Sequence, residues 1–344
     1  MPMSSDVDIY ARRRTYSLEE AQRRILTQAK YTSSLLKNMP FTAEPPYPYM
    51  IVGPPGAGKS SIIRDLAEKV VQTTFGPMMS TINLLTMQSW RDLPQILYNY
   101  EKIYDAFAEY VKQRGYDLRA LRSGAVEDAE TILFQLWHDF ARDLYDESRK
   151  DMFRKAGFSD AEINTLKQIW KIPYIYITPN TVLPEDIYGI PYSKDAFDVI
   201  LKRLLKRIEQ DVASGDVEDE KEIGKILVAM PVYFAVLSTV PSVMVVDDFL
   251  SIFSRNMNQS VRTAFRTILN PPGQRGGSVK VMEPLFVFLL SNTPDDYNIL
   301  YSEVPPQITT RVKMLMVQPT IEDFKKYFLS DQYIHSVSDL IYNA

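Results

Sequence analysis

Eight residues constrain this chain more than any others. Gly53-Pro54-Pro55-Gly56-Ala57-Gly58-Lys59-Ser60 follow an apolar run from Tyr47 to Val52 and precede a segment, Ser60 to about Val71, in which Ile62, Ile63, Leu66 and Val70 recur at helical spacing. An apolar strand that runs into a glycine-rich turn and then an amphipathic helix is a β-turn-α unit. Such units stack as parallel sheets covered by helices. The octapeptide fits G-x-x-x-x-G-K-[ST], the P-loop or Walker A pattern. Its glycines let the backbone curl so that N–H groups point at phosphate oxygens, while the following helix offers its positive N-terminus. The candidate phosphate-binding residues are therefore Gly53, Pro54, Pro55, Gly56, Ala57, Gly58, Lys59, Ser60 and Ser61, with Lys59 bridging the β- and γ-phosphates and Ser60 ligating Mg²⁺.

The rest of the chain alternates strand and helix signals. Ser17-Leu18-Glu19-Glu20 is a capping-box pattern that opens a helix to about Lys37, and Pro45-Pro46 excludes helix there. Apolar runs at Ile172 to Thr178, Ser242 to Val246, Leu285 to Leu290 and Val312 to Val317 read as further strands. Helices are expected at about Lys194 to Val212, Gln259 to Leu269 and Ile321 to Phe328. Between 86 and 170 the texture is helical throughout. Leu93, Ile96, Leu97, Tyr100, Ile103, Tyr104 and Phe107 recur at three- and four-residue spacing, as do Ala129, Ile132, Leu133, Leu136, Trp137 and Phe140, and Gly157-Phe158-Ser159-Asp160 opens another helix to about Trp170. Core packing explains these aromatic stripes better than a ligand does. The expected fold is α/β: a three-layer αβα core with a parallel sheet and a large helical insertion between the P-loop helix and the second core strand. The divisions are 1–45 (N-terminal helix and linker), 46–85 (first part of the core), 86–170 (helical insertion), 171–330 (remainder of the core) and 331–344 (tail), with an acidic, flexible loop at Ser214 to Glu222.

Composition removes several alternatives. The 344 residues are 45% hydrophobic and 24% charged, the profile of a globular chain with a sizeable core. There is no cysteine, so disulfides, thiolate nucleophiles and cysteine metal sites are all excluded. Two histidines, His138 and His335, do not make a zinc pattern. The net charge of −4 argues against a general polyanion surface. The uncharged stretch Ile226 to Val246 is long enough to cross a bilayer, but Pro231 and Pro241 interrupt it and Asp247-Asp248 follow at once. It is read as a buried segment leading into a buried parallel strand. With no membrane span and no visible secretory signal, a cytoplasmic chain is expected.

Three further sites follow from the P-loop. Val243-Met244-Val245-Val246-Asp247-Asp248 puts two acids at the carboxyl end of a buried strand, where open α/β sheets place their ligands. Asp247 would hold Mg²⁺ through its water shell and Asp248 would orient and polarise the attacking water. Asn292 ends the apolar run Pro284 to Leu290 and is either a partner of the γ-phosphate or lytic water, or a turn-former before Thr293-Pro294. Arg311, just before the last strand, is either a surface ion-pairing residue or an arginine that reaches a neighbouring subunit's nucleotide.

Taken together, GPPGAGKS, VMVVDD, Asn292 and Arg311 resemble the AAA+ ATPase family, in the order Walker A, Walker B, sensor 1 and arginine finger. Within it, Thr178 to Gly189, Met230 to Ala235, and Gly273 to Val279 followed by Glu283 to Phe286 are similar to stretches of the MoxR-like group. The resemblance covers about 45 to 90 and 171 to 330. Three features depart from it. Asp248 stands where the family has glutamate, shortening the catalytic arm by one methylene. The span from Lys59 to Asp247 far exceeds the one or two βα units of about 30 residues that would suffice. Gln318 to Ala344 is too short for a several-helix C-terminal lid, which is expected to be truncated or absent.

The resemblance implies an ATPase that binds and hydrolyses Mg-ATP at a subunit interface in a homo-oligomeric ring or hetero-oligomer. It further implies a partner protein to remodel, engaged through the helical insertion. A second reading is a clamp-loader-like or helicase-loader-like subunit acting on DNA, prompted by Arg12-Arg13-Arg14, Arg23-Arg24, Lys202-Arg203 and Lys206-Arg207. The net charge weighs against it. A third is an ATP-binding scaffold with weak or no hydrolysis, prompted by Asp248 and the short C-terminus.

Overall fold

The structure is a computed structural model that describes residues 14–84, 89–123, 125–179, 236–253, 262, 265, 269–272, 274, 275, 281–293, 296 and 306–321. Its centre is a sheet of seven strands, all parallel: β1 (Thr15–Tyr16), β2 (Tyr49–Val52), β3 (Thr81–Asn83), β4 (Ile172–Ile177), β5 (Ser242–Val246), β6 (Leu285–Ser291) and β7 (Lys313–Val317). They lie in the order β1-β7-β2-β6-β5-β4-β3. Every residue of β5 and of β6 is buried. Because successive side chains on a strand point to opposite faces, both faces of the sheet are covered there. This explains why both strands read as unbroken apolar runs.

Helix α1 (Leu18–Asn38) starts where expected, with the Ser17 hydroxyl accepting from the Glu20 amide at 3.1 Å. Its buried residues Leu18, Ala21 and Ile25 recur at three- and four-residue spacing. The helix packs along α2 (Lys59–Phe75), which follows β2 directly through the glycine-rich turn. At the end of α2, Phe75 meets Phe286 of β6 edge-on at 6.1 Å and Trp170 at 6.4 Å.

Helices α3 (Ser89–Gln113), α4 (Leu118–Ser123), α5 (Ala129–Tyr145), α6 (Asp151–Lys155) and α7 (Asp160–Ile169) form the helical block. Phe107 stacks on Trp137 at 3.6 Å and 6°, and Phe140 and Trp170 close around them, all four at most 1% exposed. The aromatic stripes are thus core. That core is continuous with the one between α2 and the sheet. Ser159 and Glu162 form the capping box that opens α7.

Two strands were not anticipated. β1 adds two residues at one edge of the sheet, and β3 stands at the other edge between α2 and the helical block. The block therefore follows an edge strand rather than the P-loop helix directly. Of the uncharged stretch before Asp247, residues 236–246 are buried and end in β5, and 226–235 lie outside the described residues. Among the described residues no helix is long and apolar enough to cross a membrane. The expected helix at 194–212, the acidic loop at 214–222 and all but the first residue of the helix at 321–328 also lie outside them.

Candidate functional site

β6 runs between β2 and β5, and this order assembles the site. Val52 pairs with Ser291 and Val246 with Leu289, so Gly53, Asn292 and Asp247 emerge at the same carboxyl-terminal edge from three adjacent strands. Open parallel sheets bind ligands at that edge. The Gly53 amide donates to the Ser291 carbonyl at 3.1 Å and the Asp247 amide to Ile177 at 2.8 Å, tying the first residue of each turn to the neighbouring strand.

The turn itself depends on glycine. Gly58 adopts φ 77° and Gly56 φ 72°, the left-handed region, and Gly58 caps α2 without any side-chain hydrogen bond to the helix. The first turn of α2 therefore keeps amide donors that no cap residue occupies, at the positive end of a 17-residue helix. The fit to a phosphate is one of charge and of donors.

Lys59 lies across this turn. Its side chain is 6% exposed and its Nζ donates to the Gly53 carbonyl at 2.9 Å, the Pro54 carbonyl at 2.8 Å and Asn292 Oδ1 at 2.9 Å. All three N–H groups go to neutral oxygens. Burial pushes the Lys59 ammonium below its ordinary range, and the nearby charges of Asp247, Asp248 and Asp296 offset only part of that. A buried cation held by dipoles alone gains when an anion arrives.

Asp247 is the other pole. Its Oδ2 accepts from Ser60 Oγ at 2.8 Å, and its Oδ1 accepts from the Asp248 amide at 2.9 Å. Tyr176 of β4 also donates its hydroxyl to Oδ2. Burial first, and then the hydrogen bond to Asp247, push the Tyr176 phenol well above its ordinary range, so it stays a donor. The sequence reading missed Tyr176, the penultimate residue of β4, because only the pairing of that strand with the acidic strand reveals its partner. Asp248, at φ 53°, turns the chain out of β5. Asp296 accepts from the Thr293 amide and hydroxyl at 2.9 and 2.6 Å, fixing the turn after Asn292.

Ser60 and Asp247 offer the oxygen ligands that Mg²⁺ takes. Their side chains lie 2.8 Å apart, so Ser60 as a ligand and Asp247 through a water shell could serve the same cation. No cluster of three or more acidic or histidine side chains that could hold a metal by themselves occurs among the described residues. Ser61 lies exposed as the third residue of α2.

Arg311 stands apart. It ends the short helix α8 (Pro306–Arg311) and lies before β7, whose first residue Lys313 pairs with Tyr49 at the amino-terminal end of β2. The loop is at the other end of these strands, roughly 15 Å away at about 3.3 Å per residue. Within the chain Arg311 Nη1 donates to Asn270 Oδ1 at 2.9 Å. A cavity of about 270 Å³ also opens away from the loop, between α1, α2 and residues such as Tyr49, Phe288 and Lys313. The basic residues of the N-terminal segment are partly neutralised: Arg14 and Arg24 pair with Glu20 at 3.3 and 3.5 Å. Lys202, Arg203, Lys206 and Arg207 lie outside the described residues, as do Arg12 and Arg13. No protein-family model matches the chain, and no curated protein matches it.

Proposed function

We propose that the chain is a P-loop ATPase of AAA+ type that binds Mg-ATP at the carboxyl edge of its sheet. One observation carries this reading: Lys59, Ser60, Asp247 and Asn292 converge through direct hydrogen bonds from three adjacent strands, although the outermost are 233 residues apart in sequence. A chance glycine-rich turn has no reason to meet an acidic strand end and a polar strand end in this way. The strand order supports the AAA+ type, because the strand ending in Asn292 separates the loop strand from the acidic strand.

The chemistry follows from the groups present. Lys59 exchanges its carbonyl partners for phosphate oxygens and recovers the charge pairing it lacks. Mg²⁺, held by Ser60 and the water-mediated Asp247, would neutralise phosphate charge. Asp248 orients a water and takes its proton as the oxygen attacks the γ-phosphorus. The bond from that phosphorus to the β–γ bridging oxygen breaks, and ADP and phosphate leave. Asn292, already touching Lys59, fixes the γ-phosphate end of the site. Arg311 cannot serve the same loop in cis, which supports a role at a neighbouring subunit's nucleotide in an oligomer. The helical block is then the surface for a protein partner to be remodelled.

The test is phosphate release read beside size exclusion with ATP. Wild type should turn over ATP and assemble, and Lys59→Ala should lose about 10²- to 10³-fold in turnover and fail to assemble. Arg311→Ala should bind nucleotide yet lose about 10³-fold in turnover. A monomer that hydrolyses normally without Arg311 would refute the oligomeric mechanism. Asp248 favours a second reading, a scaffold that binds ATP with little turnover; tight binding without phosphate release would select it.

A further inference from the structure

An ionised carboxylate offers about four acceptor positions, two on each oxygen. In Asp247 three of them are taken. Ser60 Oγ and the Tyr176 hydroxyl fill Oδ2, and the Asp248 amide takes one position on Oδ1. Among the described residues no further donor reaches it, which leaves one acceptor position, on Oδ1, for a hydrated cation.

Two of these donors are fixed by the loop and the turn that any such site requires. Tyr176 is not. It comes from β4, where it pairs with Val245 of β5, so its ring rises beside the acidic strand and reaches the carboxylate two residues further on. The aromatic ring brings its hydroxyl there with few rotatable bonds. Without that hydroxyl, Oδ2 would keep one partner instead of two and the carboxylate could swing about its terminal torsion, which is a broad and weakly restrained one.

Resting on the P-loop reading of this site, we infer that Tyr176 is a positioning residue for the magnesium site. Its hydroxyl, which also meets Ser60, holds the Asp247 carboxylate so that the remaining Oδ1 position serves the cation. Tyr176 touches neither phosphate nor water in this role. It acts through Asp247, and partners that orient metal ligands in this way are worth about 10- to 100-fold in metal affinity.

The experiment follows equilibrium binding of a fluorescent ATP analogue to the full chain as Mg²⁺ is titrated, and again in EDTA. Wild type, Tyr176→Phe and Asp247→Asn are compared, each with its melting temperature in EDTA. Tyr176→Phe removes one oxygen and keeps the ring, so the melting temperature checks that the fold survives. The Mg²⁺ concentration for half-saturation should rise about 10- to 100-fold in Tyr176→Phe, with analogue binding in EDTA unchanged. An unmoved or lowered Mg²⁺ requirement overturns the inference, as does an equal loss with and without Mg²⁺. If wild type does not bind the analogue, or Asp247→Asn leaves the Mg²⁺ requirement untouched, the P-loop reading itself fails and Tyr176 with it. A normal wild type and a shifted Asp247→Asn beside an unmoved Tyr176→Phe sinks the Tyr176 role alone.

Discussion

Two polar clusters in this molecule are made from similar parts and differ in what they leave unsatisfied. In the helical block, the Asp143 carboxylate accepts from Tyr110 at 2.7 Å, Arg114 at 2.9 Å, Arg142 at 3.2 Å and Arg149 at 3.4 Å. Asp139 beside it accepts from Gln135 at 3.0 Å and pairs with Arg142 at 3.0 Å. With Asp146, 3.3 Å from Arg149, three guanidinium groups face three carboxylates, and the charges are matched. At the sheet edge, a tyrosine hydroxyl again meets an aspartate, but the cation does not pair with it. Lys59 donates to neutral oxygens, with the charges of Asp247, Asp248 and Asp296 nearby. On the proposed function the amide donors at the head of α2 would take an anion. The closed cluster stabilises; the open one is proposed to bind. Each part of this contrast can be broken separately.

The largest effect belongs to the open cluster. Lys59→Ala removes the cation that the loop was built around and should lower ATP turnover by about 10²- to 10³-fold, the usual consequence of losing one preorganised donor at a reacting phosphate or carbonyl. Because burial disfavours the Lys59 charge, its removal should leave the melting temperature unchanged or raise it. A large drop in melting temperature would mean that Lys59 is structural, and the contrast between the two clusters would collapse.

Asp143→Ala should do the reverse. It strands three arginines and the Tyr110 hydroxyl and should cost about 3 kcal/mol of stability, the lower end for breaking a buried ion pair, since the arginines are 30 to 46% exposed. Nucleotide affinity of the folded protein should not change. Acid tests the same cluster. Burial raises the Asp139 carboxyl, but the neighbouring His138 ring, the hydrogen bond from Gln135 and the charges of Arg142 and Arg114 bring it below its ordinary 3.8. The unfolded chain therefore takes up the proton first, so this contribution is complete above pH 3.8 and is lost as the pH falls further, measurable as a falling melting temperature. Between these cases stands Gly53→Ala. A Cβ there would lie 2.6 Å from both Val317 Cγ2 and the Val317 carbonyl, so about 2 kcal/mol of stability should be lost as β7 is pushed from the loop.

Legibility in the sequence followed the same division. β5 was read to the residue and β6 to within one, because a strand buried on both faces must be apolar at every position. β4 and β7 were also read to within one, β7 from its apolar run although it is only partly buried. α1 and α7 were legible from their caps, Ser17 and Ser159. β1 and β3 were not. Two and three residues of half-exposed edge strand, Thr15–Tyr16 and Thr81–Asn83, carry no periodicity, and parallel pairing with Met316 or Ile172 is decided by the tertiary fold. At the site, Lys59 and Ser60 were legible from the glycine-rich pattern that holds them, and Asp247 and Asn292 because each follows an apolar run. Tyr176 was hidden inside such a run, where an aromatic residue reads as core, and only the pairing of β4 with β5 gives its hydroxyl a partner. The network around Asp143 was likewise invisible, since Tyr110, Arg114, Asp143 and Arg149 come from three elements and the turns between them.

The smallest expected effect tests whether the open cluster is tuned for turnover or for holding nucleotide. Asp248→Glu lengthens the arm that must reach the attacking water by one methylene. If reach limits the proton transfer, phosphate release should rise about tenfold, a change of roughly 1.4 kcal/mol in the barrier. The backbone opposes this substitution. Asp248 sits at φ 53°, a conformation that aspartate tolerates through its short polar side chain and that a longer side chain does not, so stability should fall by roughly 1 kcal/mol. Faster turnover in a less stable protein would mean that the chain keeps aspartate for the turn at the expense of rate. Unchanged or slower turnover in a folded Asp248→Glu protein would instead assign residue 248 to the geometry of the turn, and the open cluster to nucleotide binding without efficient hydrolysis.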